Sequence, residues 1–72
     1  MLAFTIRKKE NTIGVCCDED GMAALIDALQ ELRSTRNHLH LWSGARGGHT
    51  LSDKTPWGED AVAEVIITWA GD

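Results

Sequence analysis

The chain has 72 residues, about half of a typical domain, so a single domain over 1–72 is expected. Its 7 Lys and Arg against 11 Asp and Glu give a net charge of −4. This acidic balance argues against a nucleic-acid binder, whose affinity comes largely from neutralising phosphates. No uncharged run is long enough to span a membrane, and the basic residues near the N-terminus follow the apolar ones, the reverse of a secretory signal. The sequence therefore favours a cytoplasmic protein.

The first predicted elements are two strands that form a hairpin. Apolar and polar residues alternate over Leu2–Arg7 and again over Thr12–Cys17, with a charged turn over 8–11 between them. Ile13, Val15 and Cys17 are predicted to share one face. The adjacent Cys16 and Cys17 cannot staple two distant segments, so both are interpreted as packing residues in a reducing compartment.

A helix is predicted near 20–34. Either Asp18 or Asp20 is placed to accept hydrogen bonds from its first backbone N–H groups, and Asn37 is the predicted left-handed stop. Apolar residues recur at helical spacing and are expected to form one stripe, namely Met22, Leu25, Ile26, Leu29 and Leu32.

Two further strands follow, over 38–42 and 61–70. In the first, His38, His40 and Trp42 are predicted to face away from Leu39 and Leu41. In the last, the predicted core face consists of Ala63, Val65, Ile67 and Trp69, with Val62, Glu64, Ile66 and Thr68 on the other side. Between them lies a turn-rich stretch, 43–60, that could include a short strand around 49–51.

The resulting order, β-β-α-β-(β)-β, predicts an α+β fold. We expect a two-layer sandwich in which one helix packs on a mainly antiparallel sheet of four to five strands. One helix cannot cover both faces of a sheet. The uncovered face would carry Trp42, Ile66 and either Cys16 or Val62. These exposed apolar residues make a homodimer possible.

Catalytic and cofactor motifs are weak, so the sequence predicts no enzyme and no cofactor. His38 and His40 on one strand face, with His49 from a neighbouring strand, have the donor types of a metal site. A small metal-binding or metal-sensing protein is therefore the alternative function. The competing interpretation of the same histidines is structural: they pack beside Trp42 and bind no metal. The glycine-rich stretch 44–50 lacks the Lys-Ser/Thr ending of a P-loop, and no Gly-x-Ser-x-Gly motif is present.

The remaining features favour a protein-binding surface. Acidic residues lie opposite the apolar stripe of the helix, a second acidic pair closes the long loop, and tryptophans flank the glycine-rich segment. Such a surface would attract a basic protein and anchor it; the alternatives are a solvated helix face and a Trp57 folded back over the sheet. The candidate partner-binding residues are Asp20, Asp27, Glu31, His38, His40, Trp42, Gly47, Gly48, Trp57, Glu59 and Asp60.

Residues 18–55 resemble a known family. The helix with Asp20-Gly21, the following Asn37-His38-Leu39-His40-Leu41, and then Gly47-Gly48 and Leu51-Ser52 are similar to the immunity protein family numbered thirty-two, small immunity proteins of bacterial polymorphic toxin systems. Arg46 stands where the family pattern has Trp, and Thr50 stands where an acidic residue is usual. The resemblance implies a non-enzymatic protein that binds and blocks a cognate toxin, with His38, His40, Gly47, Gly48 and Leu51 as the matching positions.

Overall fold

Two antiparallel strand pairs and one helix make up the fold. The computed structural model describes residues 1–71. Its elements in chain order are β1 (Leu2–Arg7), β2 (Thr12–Cys17), α1 (Glu19–Thr35), β3 (His38–Trp42), a 3-10 turn (Gly44–Arg46) and β4 (Glu64–Thr68). The α+β class predicted from the sequence is confirmed.

The strands form two separate two-stranded sheets, β1 with β2 and β3 with β4, so the predicted single sheet of four to five strands is not formed. The free edge of β1 meets a loop segment instead of a strand. The Leu2 carbonyl accepts from Ser52 N at 2.7 Å, and the Phe4 carbonyl accepts from Val62 N at 2.8 Å. These single contacts join the two sheets without building a continuous ladder between them.

Two predicted strands are correspondingly reduced. The strand expected around 49–51 is only an isolated bridge between Leu51 and Ser43. The last strand covers Glu64–Thr68, shorter than the predicted 61–70. It begins late because β3 ends at Trp42 and the chain enters the 3-10 turn at Gly44, so the residues before Ala63 have no strand opposite them.

Helix α1 is capped at both ends by local hydrogen bonds. Asp18 is the N-cap, and its carboxylate accepts from Gly21 N at 2.9 Å. At the other end Arg36 has φ 53° and donates its backbone N–H to the Leu32 carbonyl. The prediction of Asn37 as the left-handed residue is therefore wrong by one position. The Arg36 guanidinium lies 5.5 Å from the centre of the Trp69 ring, a cation–π contact that favours this ending.

The core is small and centres on Leu2, Leu41 and Leu51. Half-buried residues pack around these three, including Phe4, Leu25, Leu39, Val65 and Ile67. The predicted helical stripe is divided, because at about 100° per residue its members point in different directions. Leu25 and Leu32 contribute to the packed side of the helix, whereas Met22, Ile26 and Leu29 remain exposed.

The start of α1 lies directly against the start of β1. Gly21 is buried, and a Cβ atom there would overlap the Met1 carbonyl group. Only glycine permits this approach without moving backbone. The contact fixes how the helix sits on the first hairpin.

We expect Gly21→Ala to lower the free energy of unfolding. The overlap is with backbone, and overpacking of this kind costs about 1–3 kcal/mol, more than the ~1 kcal/mol that alanine gains in helix propensity. Urea denaturation followed by tryptophan fluorescence measures the difference. Gly44→Ala is the matched control. A Cβ atom at Gly44 would lie 3.4 Å from its nearest neighbour, an Asp53 carboxylate oxygen, and would overlap no backbone. Equal midpoints for the two variants would contradict the close approach.

Candidate functional site

The outer face of β3 and β4 carries a row of aromatic rings. His40 stacks on Trp42 with centroids 5.1 Å apart and 13° between the planes, and His38 meets His40 edge-on at 5.3 Å. Across the strand pair, Trp42 lies opposite Glu64 and His40 lies opposite Ile66. The predicted alternation of β3 is confirmed. We call these five residues the aromatic face.

Glu64 holds the two central rings in place. Its Oε2 accepts from Trp42 Nε1 at 2.7 Å and from His40 Nδ1 at 2.8 Å, and Arg46 Nη1 lies 3.7 Å from Oε1. An ionised carboxylate only accepts hydrogen bonds, so the His40 proton is on Nδ1. The hydrogen bond from His40, and next that from Trp42, lower the pKa of Glu64. The carboxylate therefore presets both rings while 42% of Trp42 stays exposed.

Gly47 and Gly48 shape the turn beside this face. A Cβ at Gly48 would overlap Trp42, and the Gly48 N–H donates to the Ser43 carbonyl at 2.8 Å. Gly47 has φ 77°, which favours glycine. These two predicted site residues therefore lie next to Trp42, where their absent side chains let the loop pack against the indole.

A second surface consists of Asp20, Asp27 and Glu31, which we call the acidic flank. All three are exposed, and within residues 1–71 none of them forms a salt bridge. Asp27 and Glu31 line a shallow depression of about 280 Å³ together with His40 and Thr50. The acidic flank therefore lies on the side of the helix that faces β3.

The edge of β3 that faces away from β4 is covered at one end, where the Trp42 carbonyl accepts from Thr50 N and Leu51 N. Within residues 1–71 it is open at His38 and His40, between these two surfaces. Ser43 N donates to the Ala63 carbonyl, so odd-numbered residues of this strand direct their backbone groups toward β4. The backbone N–H and C=O groups of His38 and His40 consequently point to the open edge. The aromatic face lies on one side of that edge and the acidic flank on the other.

Trp57, Glu59 and Asp60 form a separate cluster at the end of β1. The Arg7 guanidinium lies 5.9 Å from the centre of the Trp57 ring and donates to Glu59 Oε1 at 3.2 Å. This hydrogen bond is the main cause of the lowered pKa of Glu59. Asp60 lies 3.7 Å from Lys54 Nζ. The second predicted acidic pair is thus balanced by neighbouring cations, unlike the acidic flank.

The three histidines of the predicted metal set are not brought together. His38 and His40 share the aromatic face, whereas His49 lines a different depression with Met1, Asp20 and Gly21. Among residues 1–71 no three His, Cys, Asp or Glu side chains are grouped as metal ligands.

The apolar residues that the sequence predicts for a homodimer contact are also divided. Trp42 and Ile66 share the aromatic face, but Val62 lines a groove with Phe4 and Ile6, and Cys16 lies with its sulfur 3.9 Å from that of Met1. Both cysteines are half-buried and free.

Sequence reasoning does not single out Glu64 as a site residue. The available signal is the alternation of the last strand, which places Glu64 and Ile66 on one face, but it does not give the register against β3. The pairing of Glu64 with Trp42 becomes visible only in the structure.

No protein-family model, curated protein or solved structure matches this chain. In the part of the chain that the structure describes, no helix combines the length and the apolar character needed to cross a membrane.

Replacing Glu64 by Gln tests the carboxylate at the centre of the aromatic face. Its pKa is lowered from an ordinary value of 4.5, so the ionised form stabilises the fold above about pH 4.5. That contribution is lost as the pH falls through the lower pKa of the folded state. We expect the thermal midpoint of the natural protein to fall more steeply below pH 4.5 than that of Glu64→Gln. Glu10→Gln, in the β1–β2 turn, is the control and should follow the natural protein. If the thermal midpoint of the natural protein falls below pH 4.5 no more steeply than that of Glu64→Gln, this role of Glu64 is refuted.

Proposed function

We propose that this protein is a protein-binding module that docks a basic protein through the aromatic face and the acidic flank. The observation that carries the proposal is the open part of the β3 edge, at His38 and His40, between these two surfaces. A single partner segment laid along that edge would reach Trp42 on one side and Glu31 on the other. With α1 as a second layer behind the strands, the outer side of β3 and β4 stays free for the partner.

Trp42 is suited to anchor the partner. Large aromatic side chains dominate the energy of many interfaces, and their contribution is greatest when they are already held in the bound geometry. Glu64 supplies that restraint through the hydrogen bonds to Trp42 and His40. Binding would therefore not have to order the indole.

The acidic flank is suited to steer the partner. Its carboxylates are not balanced by cations within residues 1–71, so they add to the field of a chain that already carries a net charge of −4. Such a field raises the association rate of a basic protein, with a strong dependence on salt. An extended segment paired with β3 would direct alternate side chains to either side of the strand, toward the acidic flank and toward the aromatic face.

The resemblance of residues 18–55 to immunity proteins, which is a prediction from the sequence, makes a bacterial toxin domain the partner that we propose. Neutralisation would follow from occlusion: the module covers the toxin's working surface and needs no chemistry of its own. A cytoplasmic location, where an immunity protein meets its toxin, belongs to the same proposal.

Binding to the protein encoded by the adjacent reading frame tests this function. We expect isothermal titration to show saturable binding of the natural chain, and Trp42→Ala to weaken it by about 30-fold, which corresponds to a loss of about 2 kcal/mol. Glu31→Lys should slow association and reduce its salt dependence. Glu10→Lys changes the net charge equally at a position away from β3, and should have a smaller effect.

Absence of binding by the natural chain at micromolar concentration would overturn the proposal. Equal effects of Glu31→Lys and Glu10→Lys would show that net charge alone, rather than the acidic flank, attracts the partner.

A further inference from the structure

The chain exposes more surface than its mass requires. Its accessible area is 5208 Å², whereas a monomer of 7.9 kDa is expected to expose about 4,400 Å². The excess is close to the roughly 800 Å² that each partner loses in an interface of standard size. The Cα radius of gyration, 12.5 Å, likewise exceeds the about 11 Å expected for this length.

The first hairpin and the helix expose several large apolar side chains. Six large aliphatic side chains are between 45% and 67% exposed, and we call them the apolar patch: Ile6, Ile13, Val15, Met22, Ile26 and Leu29. Met22, Ile26 and Leu29 lie on one flank of α1. Because the opposite flank faces β3, this one faces the side of β2. Ile6 and Ile13 form a cross-strand pair on the same hairpin as Val15 and line a groove with Phe4.

Within residues 1–71, the strand beside the apolar patch, β2, has an open edge. Phe4 and Val15 are paired across the first hairpin, and the Phe4 carbonyl points away from β2 to bond Val62. In an antiparallel pair, both residues of one pair share this orientation. The backbone groups of Val15, and those of Ile13 two residues earlier, therefore point outward from β2. This edge is a template for pairing with another strand.

The charges near the apolar patch suit a second copy of the chain. The acidic flank lies on the other side of α1, so two copies joined through the apolar patch keep those carboxylates apart. Antiparallel pairing of β2 with its counterpart would bring the basic Lys8-Lys9 turn of each copy toward the acidic start of the other copy's helix, at Asp18 and Glu19. In an isologous contact of this kind the two copies use the same surface, related by a two-fold axis, so none of that surface is left to add further copies.

We propose that a second copy of this chain covers the apolar patch, forming a two-fold homodimer. The β2 strands pair antiparallel with Val15 near the axis, which joins the two β1–β2 sheets into one four-stranded sheet. The two α1 helices pack side by side through Met22, Ile26 and Leu29. Glu64 borders the apolar patch, since it lines the same groove as Ile6 and Ile13. The rings of His38, His40 and Trp42 and the acidic flank remain outside this interface, so each dimer presents two docking surfaces.

Mass measurement of the natural chain and of one matched pair of variants tests the dimer. We expect light scattering to give twice 7.9 kDa for the natural protein, and a thermal midpoint that rises with protein concentration, as it does when unfolding and dissociation are coupled. Ile26→Glu should give the monomer mass. Ile66→Glu places the same charge at a residue that is 56% exposed on the aromatic face, and should leave the dimer intact.

Val15→Lys is a second variant of the apolar patch, and far-UV circular dichroism reports whether each variant is folded. Should both apolar-patch variants unfold, the concentration dependence of the natural protein's midpoint still decides the question. A monomer mass at several protein concentrations with a constant midpoint would overturn the proposal. So would dissociation by Ile66→Glu combined with an intact Ile26→Glu dimer.

Discussion

The first strand is the element on which the rest of the structure depends. β1 pairs with β2 along its whole length, and its other edge accepts hydrogen bonds from Ser52 and Val62, which belong to the long segment before β4. Gly21 brings the start of α1 against its first residues. The helix, the first hairpin and the long loop are therefore all positioned by one six-residue strand, in a chain whose fully buried apolar residues are few.

The local elements could be predicted from the sequence, but the way in which they join could not. Period-two alternation identified β1, β2 and β3, and the spacing of apolar residues identified the helix to within one residue at each end. The alternation gave the exposed face of β3 correctly, but in the first hairpin Thr5 is buried while Ile6, Ile13 and Val15 are exposed. The sheet organisation depends on which loop residues reach the free edge of β1. Val62 and Ser52 make those bonds as single residues. A single contact produces no alternation of apolar and polar residues, so the sequence does not indicate it.

The candidate site shows the same division. The sequence located His38, His40, Trp42 and the acidic residues of the helix, because each lies on a strongly periodic element. It did not separate Asp27 and Glu31, which lie beside β3, from Glu59 and Asp60, which are balanced by Arg7 and Lys54. Nor did it reveal Glu64 as the group that fixes Trp42, since that depends on register. Charge counts describe a chain, whereas recognition depends on which charges are left without a neighbour of opposite sign.

The bonds from β1 to the long loop also have a consequence for the order of folding. The hairpin β1–β2 closes over a short turn, but Thr5 reaches the Asp60 carbonyl across 55 positions of the chain. Closing so long a segment costs entropy before its contacts return any stability, and such non-local contacts slow folding. We expect the hairpin and helix to assemble early and the loop to close late. Until it closes, β1 has a bare edge, which makes that interval the moment at which the chain is most exposed to mispairing with its neighbours.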